Sequence, residues 1–413
     1  MDFKINATQL SAELERLSLF SEAAKPAVTR VLYSQQDQQA RAWLKTLTIS
    51  AGLLWREDTL GNTFIRLEGS DPSLPAVGTG SHIDAIPFSG MFDGTVGVLG
   101  GLEALRAIKR TGITPKRALE VVLFTAEEPT RFGLGCLGSR AMAGTITVEQ
   151  MRALRDPDGN DLETLRTQAG FSGPLESVKL EPGHYAAFIE LHIEQGPLLE
   201  QENISIGLVT AIAAPASFFV HIEGEGGHAG ARLMPGRRDA LLAASEIALE
   251  VERAALAAGA IDAVGTTGIC EVHPGAINSI PSRVKLGIDM RDIDGARRDQ
   301  AVNRVLEAIK EIGQRRNVNT RVEMLNADPP ASSSQTVLEA AHAACTEMNL
   351  IPKEMVSRAY HDSLFMARIC PIGMIFIPCR DGVSHRPDEF SSQQDIARGV
   401  EVLARTLLKL AQT

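Results

Sequence analysis

The stretch AVGTGSHIDAIPFSGMFDGTVGV, residues 76–98, contains the clearest fold signal in the chain. A short apolar run at 76–79 leads into a Gly-rich loop, and a helical pattern follows over about 96–110. The next run, LEVVLFT at 119–125, is almost entirely apolar or β-branched, which predicts a strand covered on both faces. Strands and helices that alternate in this way predict an α/β fold.

The same alternation extends to both sides of this stretch. Two helices are predicted near the amino terminus, the second over about 28–50 with Gly52 as its stop signal. A last helix is predicted over about 392–411. Further strands are predicted at 53–57, 63–67, 186–193 and 373–378.

Between about 213 and 326 the pattern changes to β-α-β-β-α-β, which is the ferredoxin-like order. In the strand VKLGIDMR, residues 284–291, the apolar side chains alternate along one face, so Asp289 and Arg291 point away from the core of this unit. We therefore predict a small domain, 213–326, inserted into a larger domain formed by 1–212 and 327–413.

Composition excludes several classes of protein. The net charge of −10 argues against a nucleic-acid or anionic-membrane surface, and no apolar stretch reaches the length that a membrane span needs. The first residues lack a signal-peptide pattern, and the five cysteines are odd in number and widely spaced, which favours reduced thiols. A cytoplasmic location is expected.

Six metal-capable side chains lie where a predicted strand or helix meets a loop, namely His82, Asp93, Glu127, Glu128, His192 and His385. Imidazole nitrogens and carboxylate oxygens suit a borderline divalent cation, and loops at strand ends are where α/β folds carry catalytic groups. Taken singly, each residue also fits a structural role, such as a helix-capping Asp or a hydrogen-bonded turn histidine. Together they predict a two-metal hydrolase site.

The adjacent carboxylates Glu127 and Glu128 would repel each other if both occupied one site without a cation. A division of labour resolves this, because one can bind a metal while the other takes a proton from a water molecule that the cation has made more acidic. A solvated turn before Pro129 also fits this pair. Gln195, three residues after His192, supplies an amide suited to a substrate carbonyl or amine.

Several motifs in order resemble those of the M20 metallopeptidase-like amidohydrolases that act on ureido compounds. This group includes allantoate, ureidoglycolate and N-carbamoyl-L-amino acid amidohydrolases and β-ureidopropionase. The motifs are SHIDAIPFSGMFDGTVGV, AEEPTRFG, ELHIEQGP, GGHAGARLMPGRRDA, HPGAINSIPSRVKLGIDMRDID and GMIFIPCRDGVSH. The resemblance implies a metallopeptidase-like catalytic domain with an inserted lid or dimerisation domain, and a pair of zinc or manganese ions.

The resemblance also implies roles for individual residues. His82 and His192 would bind one metal, Glu128 and His385 the other, with Asp93 between them and Glu127 as general base. Substrate contacts would come from Gln195, Asn278 and Arg291. His228 would act across the interface of a homodimer, at the active site of the neighbouring subunit. For Arg291 a surface ion pair, and for His228 an ordinary loop position, remain alternatives.

One segment, SRAYHDSLFMA at 357–367, bears on the substrate. Related amidohydrolases commonly carry a GAGHDA-like segment there, so Tyr360 and Ser363 replace small residues. This resembles the ureidoglycolate-type branch, and we expect Tyr360 and His361 to line the substrate pocket. For His361 a place in a packed loop remains the alternative. Allantoate or an N-carbamoyl-L-amino acid is the alternative substrate. A dipeptidase on the same scaffold and a non-catalytic binding protein are further alternatives.

Overall fold

The computed structural model describes residues 3–413, which divide into two compact units. The first unit comprises the residues up to Thr210 together with Ser332–Met355 and His361–Thr413, and the second comprises Ala211–Ala331 and Val356–Tyr360. The sequence did not predict that the short segment Val356–Tyr360 belongs to the second unit.

Helices and strands are numbered in chain order. The helices are α1 (Ala7–Ser18), α2 (Gln35–Ser50), α3 (Thr95–Arg110), α4 (Leu137–Ala143), α5 (Val148–Ala153), α6 (Leu162–Gln168), α7 (Leu198–Gln201), α8 (Ala240–Ala257), α9 (Gly295–Arg316), α10 (Gln335–Glu347), α11 (Ser363–Met366) and α12 (Gln393–Gln412). The strands are β1 (Val28–Arg30), β2 (Leu54–Glu57), β3 (Thr63–Leu67), β4 (Ala76–Ser81), β5 (Ala85–Ser89), β6 (Leu119–Leu123), β7 (Tyr185–Ile193), β8 (Gly207–Ile212), β9 (Ala214–Glu223), β10 (Gly227–His228), β11 (Val264–His273), β12 (Ser279–Ile280), β13 (Arg283–Asp292), β14 (Asn319–Ala327), β15 (Ala331–Ser332), β16 (Lys353–Ser357) and β17 (Ile372–Ile377).

The large sheet has the strand order β15-β8-β17-β7-β4-β6-β3-β2, with β16 paired to β8. Its four central strands, β17, β7, β4 and β6, run parallel, and the strands beside them, β8 and β3, are antiparallel. The predicted α/β fold is confirmed. Parallel strands direct their carboxyl ends to one edge of the sheet, so the loops after β4, β6, β7 and β17 meet there.

Apolar burial explains why the central strands form. Every residue of β6 is buried, as expected for a strand with both faces covered. Helices α3 and α12 pack against each other and against β4 and β7, and Leu99, Leu191 and Val400 are among the fully buried residues of this core. Burial of such side chains stabilises the fold by about 1.5–3 kcal/mol each.

The predicted helix over 28–50 is wrong in its first part. Val28–Arg30 is a strand that pairs with β5, and helix α2 begins only at Gln35. Tyr33 has a left-handed backbone with φ of 59°, and the Ser34 hydroxyl accepts a hydrogen bond from the N–H of Asp37. A left-handed residue followed by a serine cap starts a helix here, and the apolar periodicity did not reveal it.

The second unit has a four-stranded antiparallel sheet in the order β11-β13-β9-β14, with α8 and α9 packed on one face. This is the predicted ferredoxin-like arrangement. In β13 the residues Val284, Leu286, Ile288 and Met290 are all buried, as the alternating pattern predicted. Arg291 lies on the opposite face and donates hydrogen bonds to Asp289 and to the carbonyl of Arg358.

Among the helices of residues 3–413, none has the length and apolar character required to cross a membrane.

Candidate metal centre

Four of the candidate ligands lie at or beyond the carboxyl ends of the four central strands of the large sheet, and the fifth, Asp93, lies in the loop after β5. His82 directly follows β4, His192 lies near the end of β7, and Glu128 lies in the loop after β6. His385 lies in the loop after β17, and Asp93 comes shortly before α3. Residues from distant parts of the chain therefore meet at one edge of the sheet, as is usual for sites in α/β folds.

Asp93 lies at the centre of this cluster, and its two oxygens face different histidines. Asp93 Oδ1 is 3.2 Å from His192 Nε2 and 3.6 Å from His82 Nε2. Asp93 Oδ2 is 3.2 Å from His385 Nε2, which in turn is 3.4 Å from Glu128 Oε1. The ligand atoms form two groups that share Asp93, and within each group they lie within 4.8 Å of one another.

His82 and His192 are both oriented so that Nε2 could bind a cation. The Nδ1 atoms of His82 and His192 lie 2.9 Å from the backbone carbonyls of Asp84 and Ile193, respectively. A carbonyl only accepts hydrogen bonds, so Nδ1 carries the proton in the neutral ring and the lone pair of Nε2 points toward Asp93. This is the tautomer that metal-binding histidines use.

Gly94 makes room for this arrangement. It has a φ of 66°, and a Cβ atom built there would lie 2.4 Å from His82 Nε2. Its N–H lies 3.2 Å from His192 Nε2. Any side chain at this position would push His82 away from Asp93. This steric conflict explains the glycine in the FDG sequence.

Glu127 belongs to neither ligand group. Its Oε2 lies 3.8 Å from His82 Nε2, and the Cys136 thiol donates a hydrogen bond of 3.5 Å to its Oε1. Burial raises the pKa of Glu127 well above its usual value, and the negative charges of Glu128 and Asp362 raise it further against the opposing effect of His82. A carboxylate with a raised pKa beside a group of ligands is suited to accept a proton.

The charges of the cluster fit a cation-binding site. Burial and the nearby Asp93 raise the pKa of Glu128 to about 7, and a hydrogen bond to Asp93 together with the charge of Glu128 raises the pKa of His385 to about 9 despite burial. Burial alone would lower the pKa of His82, but Glu127, Asp93 and Asp84 outweigh it and raise that pKa. Carboxylates crowded in this way attract positive charge, and the nitrogen and oxygen donors fit a pair of divalent cations.

Two predicted substrate residues lie in the first unit with this cluster. Gln195 has a left-handed backbone with φ of 57°, and its Nε2 donates a hydrogen bond of 2.8 Å to Asp93 Oδ2. The ring of His361 lies edge-on to that of His192, with 4.7 Å between the ring centroids, and the side chain is buried. The structure therefore brings both residues to the candidate metal centre.

The other predicted functional residues lie in the second unit. His228 and Asn278 are neighbours there, because β10 pairs with β12 and the N–H of Ala229 donates to the carbonyl of Asn278. The Tyr360 hydroxyl donates a hydrogen bond of 2.5 Å to Asp328 Oδ2. The roles predicted for these residues and for Arg291 stay predictions.

Two further carboxylates, not predicted from the sequence, accept hydrogen bonds from the backbone of the candidate site residues. Asp84 accepts hydrogen bonds from the N–H groups of Glu127 at 3.3 Å and Glu128 at 3.0 Å, so it fixes the turn that carries both carboxylates. Its place two residues after a candidate ligand histidine could have indicated a supporting carboxylate. Glu389 accepts hydrogen bonds from the N–H groups of Phe92 and Asp93, and no local sequence pattern indicates this.

Similarity to known proteins extends over most of the chain. Residues 78–409 match peptidase family M20/M25/M40. The chain is 53% identical to ureidoglycolate hydrolase of Arabidopsis thaliana over 98% of its own length and 87% of the relative's. It is 39% identical to N-carbamoyl-L-amino acid amidohydrolase of Geobacillus stearothermophilus over 99% of both chains.

The fold of the chain is similar to that of solved structures. The crystal structure of AtUAH in complex with glyoxylate superposes with a TM-score of 0.92 at 53% identity and covers 100% of this chain and 99% of that chain. A second crystal structure of AtUAH, in complex with (S)-hydroxyglycine, also has a TM-score of 0.92, with the same coverage and 52% identity.

Proposed function

Because the chain belongs to peptidase family M20/M25/M40, we propose that it hydrolyses the ureido C–N bond of a small ureido acid and releases ammonia, with ureidoglycolate as the favoured substrate. The chain is a hydrolase of this family, and its relatives named above are amidohydrolases. The observation that carries the substrate proposal is 53% identity to a ureidoglycolate hydrolase over nearly the whole chain.

The metal centre would hold two divalent cations, zinc or manganese. His82 and His192 would bind one and Glu128 and His385 the other, with Asp93 bridging the two. The distances from the two Asp93 oxygens to these histidines support this division. When bound, the cations would supply Lewis acidity, which polarises the ureido carbonyl and makes water more acidic.

Glu127 would be the general base. It would take a proton from the attacking water as the water oxygen joins the ureido carbon, and return it to the leaving nitrogen when the C–N bond breaks. Ammonia leaves, and the remaining carbamate decomposes to carbon dioxide and an amine. The burial of Glu127, its raised pKa and its position outside both ligand groups support this role.

The substrate carboxylate would bind to Arg291, whose guanidinium suits a bidentate contact. Arg291 lies on the side of β13 that faces away from the core of its own unit, which supports this role. Gln195, Asn278 and His361 would contribute the further polar contacts, and Tyr360 would limit the size of the substrate. We also propose that the second unit acts as a lid that excludes water during the reaction.

The active form would be a homodimer in which His228 reaches the active site of the neighbouring subunit. An exposed apolar stripe on α8 supports a subunit interface, because Leu242, Leu249 and Leu256 recur every seventh residue and all three are exposed. Strand β11 beside this helix is an outer strand of its sheet, with an edge that no other described strand pairs. The five free cysteines support the expected cytoplasmic location, which stays a prediction.

The test is an ammonia-release assay on chelator-stripped protein with manganese or zinc restored. Ureidoglycolate, allantoate, several N-carbamoyl-L-amino acids and dipeptides are compared at equal concentration. We expect ammonia from ureidoglycolate, with the largest kcat/KM of the set, and none from stripped protein. Cleavage of dipeptides without turnover of any ureido compound would contradict the proposal.

A second candidate substrate is an N-carbamoyl-L-amino acid. The 39% identity to the Geobacillus stearothermophilus amidohydrolase over 99% of both chains favours it, and allantoate is the other alternative. The same assay separates them, because each predicts a different substrate with the largest kcat/KM. Absence of turnover and of bound metal together would favour a non-catalytic binding protein.

A further inference from the structure

The loop after β17 contains a buried carboxylate that the proposed reaction leaves without a role. Glu389 lies four residues after His385 and is only 4% exposed. It belongs to neither group of candidate metal ligands. Buried carboxylates cost free energy unless hydrogen bonds satisfy them, so its partners indicate what it does.

Glu389 contacts both the backbone and, through a serine, the side chain of Asp93. Its Oε1 accepts hydrogen bonds from the N–H groups of Phe92 at 2.8 Å and Asp93 at 3.0 Å. Its Oε2 lies 3.0 Å from Ser384 Oγ, which lies 2.9 Å from Asp93 Oδ2. A hydroxyl has one proton, so Ser384 donates to one carboxylate at a time while it contacts both.

Packing around these hydrogen bonds is tight. A Cβ atom at Gly90 would lie 2.4 Å from the Cβ of Glu389. A side chain at position 90 would therefore clash with Glu389, and glycine avoids this clash. The rings of Phe92 and Phe390, the neighbours of Asp93 and Glu389, meet edge-on with 5.9 Å between their centroids. The loop before α3 and the loop after β17, about 300 residues apart in sequence, thus contact each other beside the candidate metal centre.

We propose that Glu389 is a positioning residue that fixes the rotation of the Asp93 carboxylate. A bridging carboxylate must direct one oxygen to His82 and His192 and the other to His385, and a rotation about Cβ–Cγ would remove both contacts. Glu389 accepts a hydrogen bond from the Asp93 backbone, and Ser384 lies between Glu389 and Asp93 Oδ2, so these contacts restrict the rotation of the Asp93 carboxylate. This inference rests on the two-metal site proposed above.

The test compares Glu389→Ala, Glu389→Gln and Ser384→Ala with the unchanged protein. The matched control is Asp388→Ala, which removes the neighbouring carboxylate, 54% exposed and paired with Arg386. Each protein is stripped of metal and titrated with Mn²⁺. Bound Mn²⁺ per chain, its apparent affinity, the melting temperature, kcat and KM are measured.

We expect Glu389→Ala to bind its second equivalent of Mn²⁺ about 10–100-fold more weakly, as is usual when a group that orients a metal ligand is lost. Its kcat should fall more than its KM changes. Glu389→Gln keeps an oxygen that can accept both backbone N–H groups, so it should recover much of the affinity. Ser384→Ala should fall between the two, and Asp388→Ala should match the unchanged protein.

A Glu389→Ala protein with a lower melting temperature but unchanged Mn²⁺ affinity and kcat would overturn the inference, because Glu389 would then only stabilise the loop. If Glu389→Ala does not fold, Ser384→Ala decides by the same measurements, and unchanged Mn²⁺ affinity in that variant has the same meaning. Failure of the unchanged protein to bind two Mn²⁺ ions would instead overturn the proposed two-metal site, and this inference with it.

Discussion

Asp93 could be chosen from the sequence as a candidate metal ligand, but its orientation could not. The FDG sequence before a predicted helix indicated a carboxylate at the end of a loop. Only the structure reveals that its two oxygens face different histidines and that Gln195 and Ser384 hold Oδ2. These contacts join residues far apart in the chain, and local patterns carry no information about such pairs.

Glu128 lies beside His385 in one of the two candidate ligand groups, whereas Glu127 belongs to neither group. Glu127→Gln keeps the size of the side chain but cannot take a proton, so kcat should fall by about 10²–10⁴-fold, the usual contribution of a general base. Metal content should stay unchanged, which elemental analysis of the purified variant checks. Near-normal turnover would show that another group is the base.

Metal affinity should depend on pH because protons must leave the ligands. In the metal-free protein a hydrogen bond to Asp93 raises the pKa of His385 to about 9, and burial together with the charge of Asp93 raises the pKa of Glu128 to about 7. Apparent Mn²⁺ affinity should therefore rise from about pH 6 to about pH 9 and level off above it. Calorimetric titration in two buffers of different ionisation enthalpy would detect the released protons, and pH-independent affinity would contradict this.

Among the secondary-structure elements, those with long and regular periodicity were predicted well. The central strands and α3 follow from continuous apolar runs, and the strands and helices of the second unit follow from clear changes of period. The region 28–50 failed because its apolar residues fit a helix, whereas a left-handed Tyr33 and the Ser34 cap separate a strand from α2. Caps and single backbone angles override periodicity over a few residues.

The start of α2 can be tested directly. The Ser34 hydroxyl accepts from the N–H of Asp37, and the Asp37 carboxylate accepts from the N–H of Tyr33. Ser34→Ala should lower the free energy of unfolding by about 1 kcal/mol, measured by urea denaturation. Ser50→Ala, at the exposed end of the same helix, is the control and should change it less. Equal effects of the two variants would show that the cap contributes little.

For the whole molecule, the sequence predicted an α/β fold with a ferredoxin-like unit, and the structure agrees. It did not predict that Val356–Tyr360 belongs to the second unit. This segment is short and has no period of its own, and it is held by contacts such as that of Arg358 with Asp262. Side-chain contacts between distant segments set such boundaries, and they are invisible in hydrophobic patterns.

The proposed homodimer gives a prediction at the same scale. Leu249→Glu adds a charge to the centre of the apolar stripe on α8, so it should convert the protein to a monomer in analytical ultracentrifugation. Activity should fall with dissociation if His228 acts on the neighbouring subunit. Leu54→Glu, at a leucine exposed to a similar degree in the first unit, is the control. A dimer that survives Leu249→Glu with full activity would exclude this face as the interface.

The ligand order along the chain also constrains how the site comes into being during synthesis. His82, Asp93, Glu128 and His192 all lie in the first half of the chain, whereas His385 lies in its last tenth. The residues of one candidate group, His82, Asp93 and His192, therefore leave the ribosome long before His385, which completes the other group. The Asp93–Glu128–His385 group can be completed only after the second unit has been synthesised, so binding of the proposed second metal ion would be a late event in the maturation of this protein.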